Sequence, residues 1–255
     1  MSALELIEIT TDAPARAVFT TRRGGVSDAP FDGLNLGADR GDSPEAVRAN
    51  RAALCAQLGI DGGSVSMVHQ VHGASVRRVA SRPRGDLFTG ARTGWPKADA
   101  LVTAAPGAAV VVLGADCLPV MLWRRDRPAV AAAHGGWRGL VAGVLEATLA
   151  ELGEPARVGA AIGPGIGPCC YPVSADVRDR FAARFGDAVV AGEAVDLARA
   201  ARVALTAAGV PPSAIQALAT CTSCDAERFY SHRRDGVASG RHAGIAWIAD
   251  RAGSA

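Results

Sequence analysis

Apolar residues between positions 98 and 139 fall in short blocks broken by glycine, proline or charge. The blocks at 98–103, 108–115, 119–123 and 129–133 each have strand length and little polar interruption, the pattern of buried strands. The second block runs into Cys117 and the fourth into His134. Both residues sit beside glycine or proline, where a strand should stop. Reactive groups held at strand ends by a rigid sheet are a common way to build a site.

The rest of the chain divides by period. Ser43 as N-cap, Pro44 at the first position and Glu45 in the first turn predict a helix that Gly59 stops. Its apolar face is Val47, Leu54 and Leu58, and Arg51 lies on that same face. A buried arginine needs a partner. A structural ion pair and a bound anion fit equally well. Residues 65–73 alternate like a strand and end at His72 before Gly73, as the fourth block ends at His134 before Gly135. His69, three residues earlier, should face the other way. A helix is predicted over 137–152, with Leu140, Val144, Leu145 and Leu149 on one face and its N-terminus beside His134, a placement that favours an anion. Residues 157–162 read as a strand, 163–171 as a glycine-rich loop, 174–185 and 196–208 as helices, 215–220 as a strand, and 229–248 as a hairpin. The stretches at 20–27 and 31–37 are turns. No linker or repeat divides residues 1–255, which predicts one domain.

Composition narrows the function classes. The formal net charge of +2 is too small to argue for nucleic acid. The uncharged apolar stretch at residues 100–115 is shorter than the roughly 20 apolar residues of a membrane span. The first residues carry acids where a secretory signal needs bases, so a cytoplasmic protein is expected. Six cysteines in such a chain read as thiols, ligands or a nucleophile more readily than as disulfides. Cys221-x-x-Cys224 has no partner pair with ribbon spacing, because Cys169 and Cys170 are vicinal. No structural metal is therefore expected there.

His72, Cys117 and His134 are far apart in sequence and can meet only through the fold. Two imidazoles and a thiolate suit zinc, and three protein ligands leave the fourth tetrahedral position for water or substrate. Zinc would lower the pKa of that water to roughly 7. The same three residues permit a Cys117 thiolate nucleophile with a histidine base. They also match the ligands of a blue-copper site. The five histidines of the chain are too few for a full multicopper oxidase.

Nine motifs, in order, carry a resemblance over about residues 20–248. They are Thr20-Thr-Arg22-Arg-Gly-Gly-Val-Ser, Leu-Asn35-Leu-Gly, Asn50-Arg51, Gln-Val-His72-Gly, Ala-Asp99-Ala-Leu-Val-Thr, Ala-Asp-Cys117-Leu-Pro-Val, His134-Gly-Gly-Trp-Arg-Gly, Gly163-Pro-Gly-Ile-Gly-Pro-Cys-Cys-Tyr, and Cys221-Thr-Ser-Cys-Asp-Ala-Glu-Arg-Phe-Tyr-Ser-His-Arg-Arg-Asp-Gly. The chain resembles the laccase-domain family, whose members are also named multicopper polyphenol oxidases, purine nucleoside phosphorylases and peptidoglycan editing factors.

The resemblance implies an α/β (α+β) domain of mixed sheets flanked by helices. It implies zinc, or copper in its place, on His72, Cys117 and His134, which would then be the catalytic centre. It implies phosphorolysis of adenosine, inosine, guanosine and methylthioadenosine, with deamination of adenosine. Phosphorolysis requires an anion site, for which Arg51, Arg22 and Asn35 are the candidates. The expected partners are a purine nucleoside and phosphate, without nucleic acid or membrane, in a monomer or small homo-oligomer. A Cys–His amide hydrolase acting on peptidoglycan precursors and a copper polyphenol oxidase are the alternatives. Ser223 stands where the resemblance leads one to expect an aromatic residue, and His242 where methionine is more usual.

Overall fold

The computed structural model describes residues 3–12, 14–38, 41–83, 88 and 95–249. The outermost positions of the predicted single domain, 1–2 and 250–255, lie outside them. Helix α1 spans Pro44–Leu58. The Ser43 side chain accepts from the Ala46 N–H, and Gly59 closes the helix in the left-handed region at φ 65°. Val47 and Leu54 are buried on one face, together with Arg51.

Thirteen strands are described: β1 Leu6–Ile9, β2 Ala15–Thr20, β3 Val65–Ser66, β4 Val76–Val79, β5 Ala100–Thr103, β6 Ala109–Gly114, β7 Leu118–Arg124, β8 Val130–Gly135, β9 Val158–Ile162, β10 Val190–Ala191, β11 Ala194–Val195, β12 Ile215–Ala217 and β13 His242–Ile248. They form a five-stranded sheet in the order β1-β2-β13-β6-β3, a six-stranded sheet in the order β12-β9-β7-β8-β5-β4, and the small β10–β11 pair. Both large sheets mix parallel and antiparallel pairs. Beyond α1 the helices are α2 Trp137–Val141, α3 Val144–Leu152, α4 Ala175–Phe185, α5 Leu197–Ala207 and α6 His232–Asp235.

The strand blocks are apolar on both faces because both faces are covered. On β7, Leu118, Val120 and Leu122 join the core under α3, α4 and α5. Met121 and Trp123 point the other way, onto Phe19, Val110 and Val112 of the opposed sheet. On β6, Val110 and Val112 face that inter-sheet core, whereas Ala109 and Val111 pack with Leu54 of α1. The layers are therefore helix, sheet, sheet, helices. The two sheets approach closely at Gly163, where an added Cβ would lie 2.5 Å from the Phe19 ring. This is a mixed α/β fold in one domain. Among the described residues no helix is long and apolar enough to cross a membrane.

Three expectations are corrected. The 137–152 helix is broken: α2 stops at Val141 and Gly143 takes φ 87°, a left-handed turn that glycine adopts without strain, before α3 begins. The N-terminus proposed for an anion thus belongs to a helix of five residues. The 65–73 strand keeps only Val65 and Ser66. Beyond them the Gln70 side chain takes both main-chain groups of Leu113, its Nε2 donating to the carbonyl and its Oε1 accepting from the N–H, so no ladder continues. The C-terminal hairpin does not form. Residues 232–235 are the helical turn α6, and β13 pairs with β2 and β6. Strands β1, β2, β4, β10 and β11 have no counterpart in the sequence expectations.

Candidate metal centre

Register brings Cys117 and His134 to one end of the six-stranded sheet. In the antiparallel β7–β8 pair Leu118 lies opposite Gly135 and Pro119 opposite His134, so the residue before β7 and the last histidine of β8 are neighbours. His72 arrives from the loop after β3 in the left-handed region, at φ 61°. A buried carboxylate holds it there. Asp99 Oδ1 accepts from the His72 N–H at 2.8 Å, and Oδ2 accepts from Gly73 at 2.7 Å and Val71 at 3.3 Å. Asp99 Oδ1 also receives His134 Nδ1 at 3.0 Å. One fully buried residue thus positions two of the three candidate ligands.

An ionised carboxylate only accepts, so His134 donates from Nδ1 to Asp99, which leaves Nε2 as the ring nitrogen available to Cys117 or to a metal. Cys117 Sγ lies 3.8 Å from His72 Nε2, and the two imidazole rings meet edge to face at 4.8 Å. The three donor atoms lie within 4.8 Å of one another. Gly136 leaves the space between them open, since a Cβ there would lie 2.8 Å from His72 and 3.1 Å from the Cys117 sulfur. Donor set, spacing and cradle all fit a tetrahedral divalent metal with one open position.

The electrostatics agree. Burial alone would push the Cys117 thiol up, but the charge and hydrogen bond of His134, with His72, bring it down to about 6. Burial would lower His134, but the Cys117 thiolate and the Asp99 carboxylate raise it to about 9. Burial would likewise raise Asp99, and the His134 hydrogen bond with the Gly73 and His72 N–H groups holds it below its ordinary value.

The cluster opens on a cavity of about 460 Å³, within the range of roughly 300–1,000 Å³ usual for small-molecule sites. Its described lining includes Arg51, Arg138, Arg233 and Arg241 against one acid, Asp116. Trp95, Trp137 and Tyr171 add aromatic surface, and His69 lines the wall without joining the three ligands.

Comparison with known proteins fits this geometry. The sequence model of the family described as multi-copper polyphenol oxidoreductase laccase matches residues 16–249. The chain belongs to that family. A protein of Pseudomonas aeruginosa named purine nucleoside phosphorylase is 43% identical over 95% of this chain and 98% of its own. The YfiH purine nucleoside phosphorylase of Escherichia coli is 38% identical over 91% of this chain and 93% of its own. Among solved structures, the YfiH protein of Bacillus licheniformis superposes with a TM-score of 0.90 at 28% identity, covering 97% of this chain and all of that one.

The three anion candidates stand in different places in this laccase-family chain. Arg51 reaches the cavity wall, but its Nε and Nη2 donate to the Leu36 carbonyl and its Nη1 to that of Phe88. Carbonyl groups and the Phe88 and Trp95 rings thus meet much of the demand of its burial. Arg22 donates to Asp32 and the Ala226 carbonyl and stacks on Tyr230, away from the described lining. Asn35 is fully buried and ties Gly37, Arg241 and Asp42 together, so it shapes the loops behind the cavity.

Asp99 and Asp116 escaped the sequence reading. Asp116 holds φ 89° at the corner between the sheets; its carboxylate accepts from Thr222 Oγ1 and the Arg233 N–H. The available signal was a charged residue heading an apolar strand, Asp99 before β5.

His242 is a departure with a measurable cost. It is fully buried under Gly114, and neither ring nitrogen has a hydrogen-bond partner. Burial, with Arg241 beside it, lowers its pKa from 6.5 to about 3. A buried polar group left unpaired costs about 1–3 kcal/mol, so His242→Met is expected to stabilise the fold by about that much. The unfolded chain takes up a proton as pH falls below 6.5 while the folded chain does not until about 3. Stability is thus fully present above pH 6.5 and lost on the way down, by about 2 kcal/mol at pH 5. Denaturant melts at pH 7 and pH 5 check this. Equal pH losses in His242→Met and the parent chain would contradict it.

Proposed function

We propose that this chain is a metal-dependent purine nucleoside phosphorylase, acting on adenosine, inosine, guanosine and methylthioadenosine, that also deaminates adenosine. The observation that carries this reading is the His72–Cys117–His134 cluster on the wall of a basic, aromatic cavity, in a chain 43% identical to a protein named purine nucleoside phosphorylase. His72, Cys117 and His134 would hold zinc, or copper in its place. Bound there, the ion supplies Lewis acidity at its open position.

The chain's own residues supply the rest. Arg138 and Arg233 face the cavity with stacking partners, Trp137 and Tyr171, and are our candidates for gripping phosphate. The Trp and Tyr faces offer a purine ring stacking worth about 1–3 kcal/mol. Asp99 fixes the His134 tautomer. Six unbridged cysteines support a reducing, cytoplasmic setting.

The test is product analysis with adenosine, with and without phosphate. Adenine and ribose 1-phosphate should appear only with phosphate, and inosine in either case. No turnover in either arm would sink the proposal. Arg138→Ala and Arg233→Ala should each raise the phosphate KM about tenfold or more, since a hydrogen bond to a charged group contributes about 1.5–3 kcal/mol. The nucleoside KM should move less.

A second reading keeps one supporting observation. The depressed Cys117 thiol beside a raised, Asp99-bound His134 is the pairing of a thiol nucleophile, suited to amide hydrolysis of a peptidoglycan precursor. Its activity would survive chelation and be lost to iodoacetamide, the reverse of a metal-dependent phosphorylase.

A further inference from the structure

Four cysteines outside the candidate centre converge where two loops meet. Cys169 and Cys170 lie in the turn Pro168–Cys170 after the glycine-rich loop. Cys221 and Cys224 flank a turn that follows β12. The fold lays these segments side by side: Gly165 pairs with Cys221, and the Thr222 N–H donates to the Gly165 carbonyl. The spacing rule that argued against a metal assumes two separate knuckles. Here a vicinal pair supplies the second half.

We infer that Cys169, Cys170, Cys221 and Cys224 form a second metal site, a closed tetrathiolate centre for zinc or a similar thiophilic divalent ion. The four sulfurs lie within 4.8 Å of one another. Cys224 is 3.6 Å from Cys169 and 3.4 Å from Cys170. A tetrahedron with Zn–S bonds of about 2.3 Å has S···S edges of about 3.8 Å, so ligation requires only small side-chain shifts. The surroundings suit thiolates. The Gly167 N–H donates to Cys221 Sγ at 3.2 Å, and a Cβ on Gly167 would press on the Cys169 and Cys221 side chains. Binding releases four thiol protons and leaves a net charge of −2 on the centre. Arg234, paired with Asp235, donates from Nη1 to the Thr222 and Ser223 carbonyls and so braces the turn between the knuckle cysteines.

Four protein ligands leave no open position, so this centre is structural. Its role is read from what the two loops carry. Tyr171 follows Cys170 and lines the cavity, and the Arg233 guanidinium stacks on its ring at 5.0 Å. Thr222 lies inside the knuckle and donates to Asp116, one residue from Cys117. The tetrathiolate clamps the part of the cavity wall that carries Tyr171 and the support of Asp116.

Metal counting separates the two sites without recourse to activity. The wild-type chain, purified reduced with zinc and freed of loose metal, should hold two zinc ions per chain by elemental analysis. His72→Ala/Cys117→Ala/His134→Ala should keep one, and cobalt substitution in that variant should give the intense thiolate-to-cobalt absorption of a tetrahedral tetrathiolate. Cys169→Ser/Cys224→Ser in the wild-type background should also keep one. A triple variant with no zinc, or a Cys169→Ser/Cys224→Ser chain that still binds two, would overturn the assignment. So would a wild-type chain whose intact mass shows these cysteines bridged, lighter by two hydrogens per bridge.

Discussion

Cys117→Ala and His134→Ala are each expected to cut the proposed purine nucleoside phosphorolysis by about a thousandfold or more while the chain still folds. Each removes one of three donors held within 4.8 Å of one another. Loss of one leaves two protein ligands where a catalytic zinc needs three. Lewis-acid stabilisation of several kcal/mol then goes with the metal, at tenfold in rate per 1.36 kcal/mol. The fold should survive Cys117→Ala, because Cys117 precedes β7 at a partly exposed position and the strand's core residues begin at Leu118. His134→Ala costs more stability, since the ring is buried and satisfies Asp99. Turnover of inosine in phosphate buffer, with circular dichroism of the same samples, makes the check. Wild-type rates in both variants would remove the cluster from the mechanism.

Replacing Asp99 should have the next largest effect, although its carboxylate is not among the three donors. Asp99→Asn keeps the volume but sets an N–H₂ group against the main-chain N–H donors of residues 71–73, and it weakens the acceptor for His134 Nδ1. Carboxylates behind ligand histidines typically contribute 10–100-fold in metal affinity, and a loss of about that size is expected. Asp99→Ala leaves several buried donors unmet and should also destabilise the fold by about 3–5 kcal/mol. Competition with a chromogenic chelator measures the affinity, and denaturant melts measure the stability. Unchanged affinity in Asp99→Asn would mean that His72 and His134 are set by packing alone.

How far these features could be read in advance depended on the range of the interactions behind them. The helix from Pro44 to Leu58 was legible because cap, first turn and stop are local chemistry. The buried strands were legible because burial on both faces leaves a continuous apolar run. His72, Cys117 and His134 shared a visible position, each beside glycine or proline at the end of an apolar block, and the fold brings them together. The role of Asp99 has no local signature, since nothing in the neighbouring sequence reveals that a carboxylate at the head of a strand is buried beneath two histidines. Arg51 was rightly placed on the buried face, but carbonyls of distant loops, invisible to periodicity, take up its donors. The 229–248 hairpin failed because the partners of β13, namely β2 and β6, lie far back in the chain. The four cysteines went unjoined because the contact that unites them spans more than fifty residues.

The path from β6 to β7 has a kinetic consequence. The chain leaves one sheet at Gly114 and enters the other at Leu118, so Cys117 lies on the short crossing between them. The strands that frame it pair largely with distant segments, and such non-local pairing is slow to nucleate. The local β7–β8 hairpin brings Cys117 and His134 together, but His72, carried by the loop after β3, joins them only when the two sheets dock, so the complete donor set is expected to form late. An ion captured by the finished pocket holds a contact absent from the transition state. It acts as a latch: the rate of folding is left alone and the rate of unfolding falls.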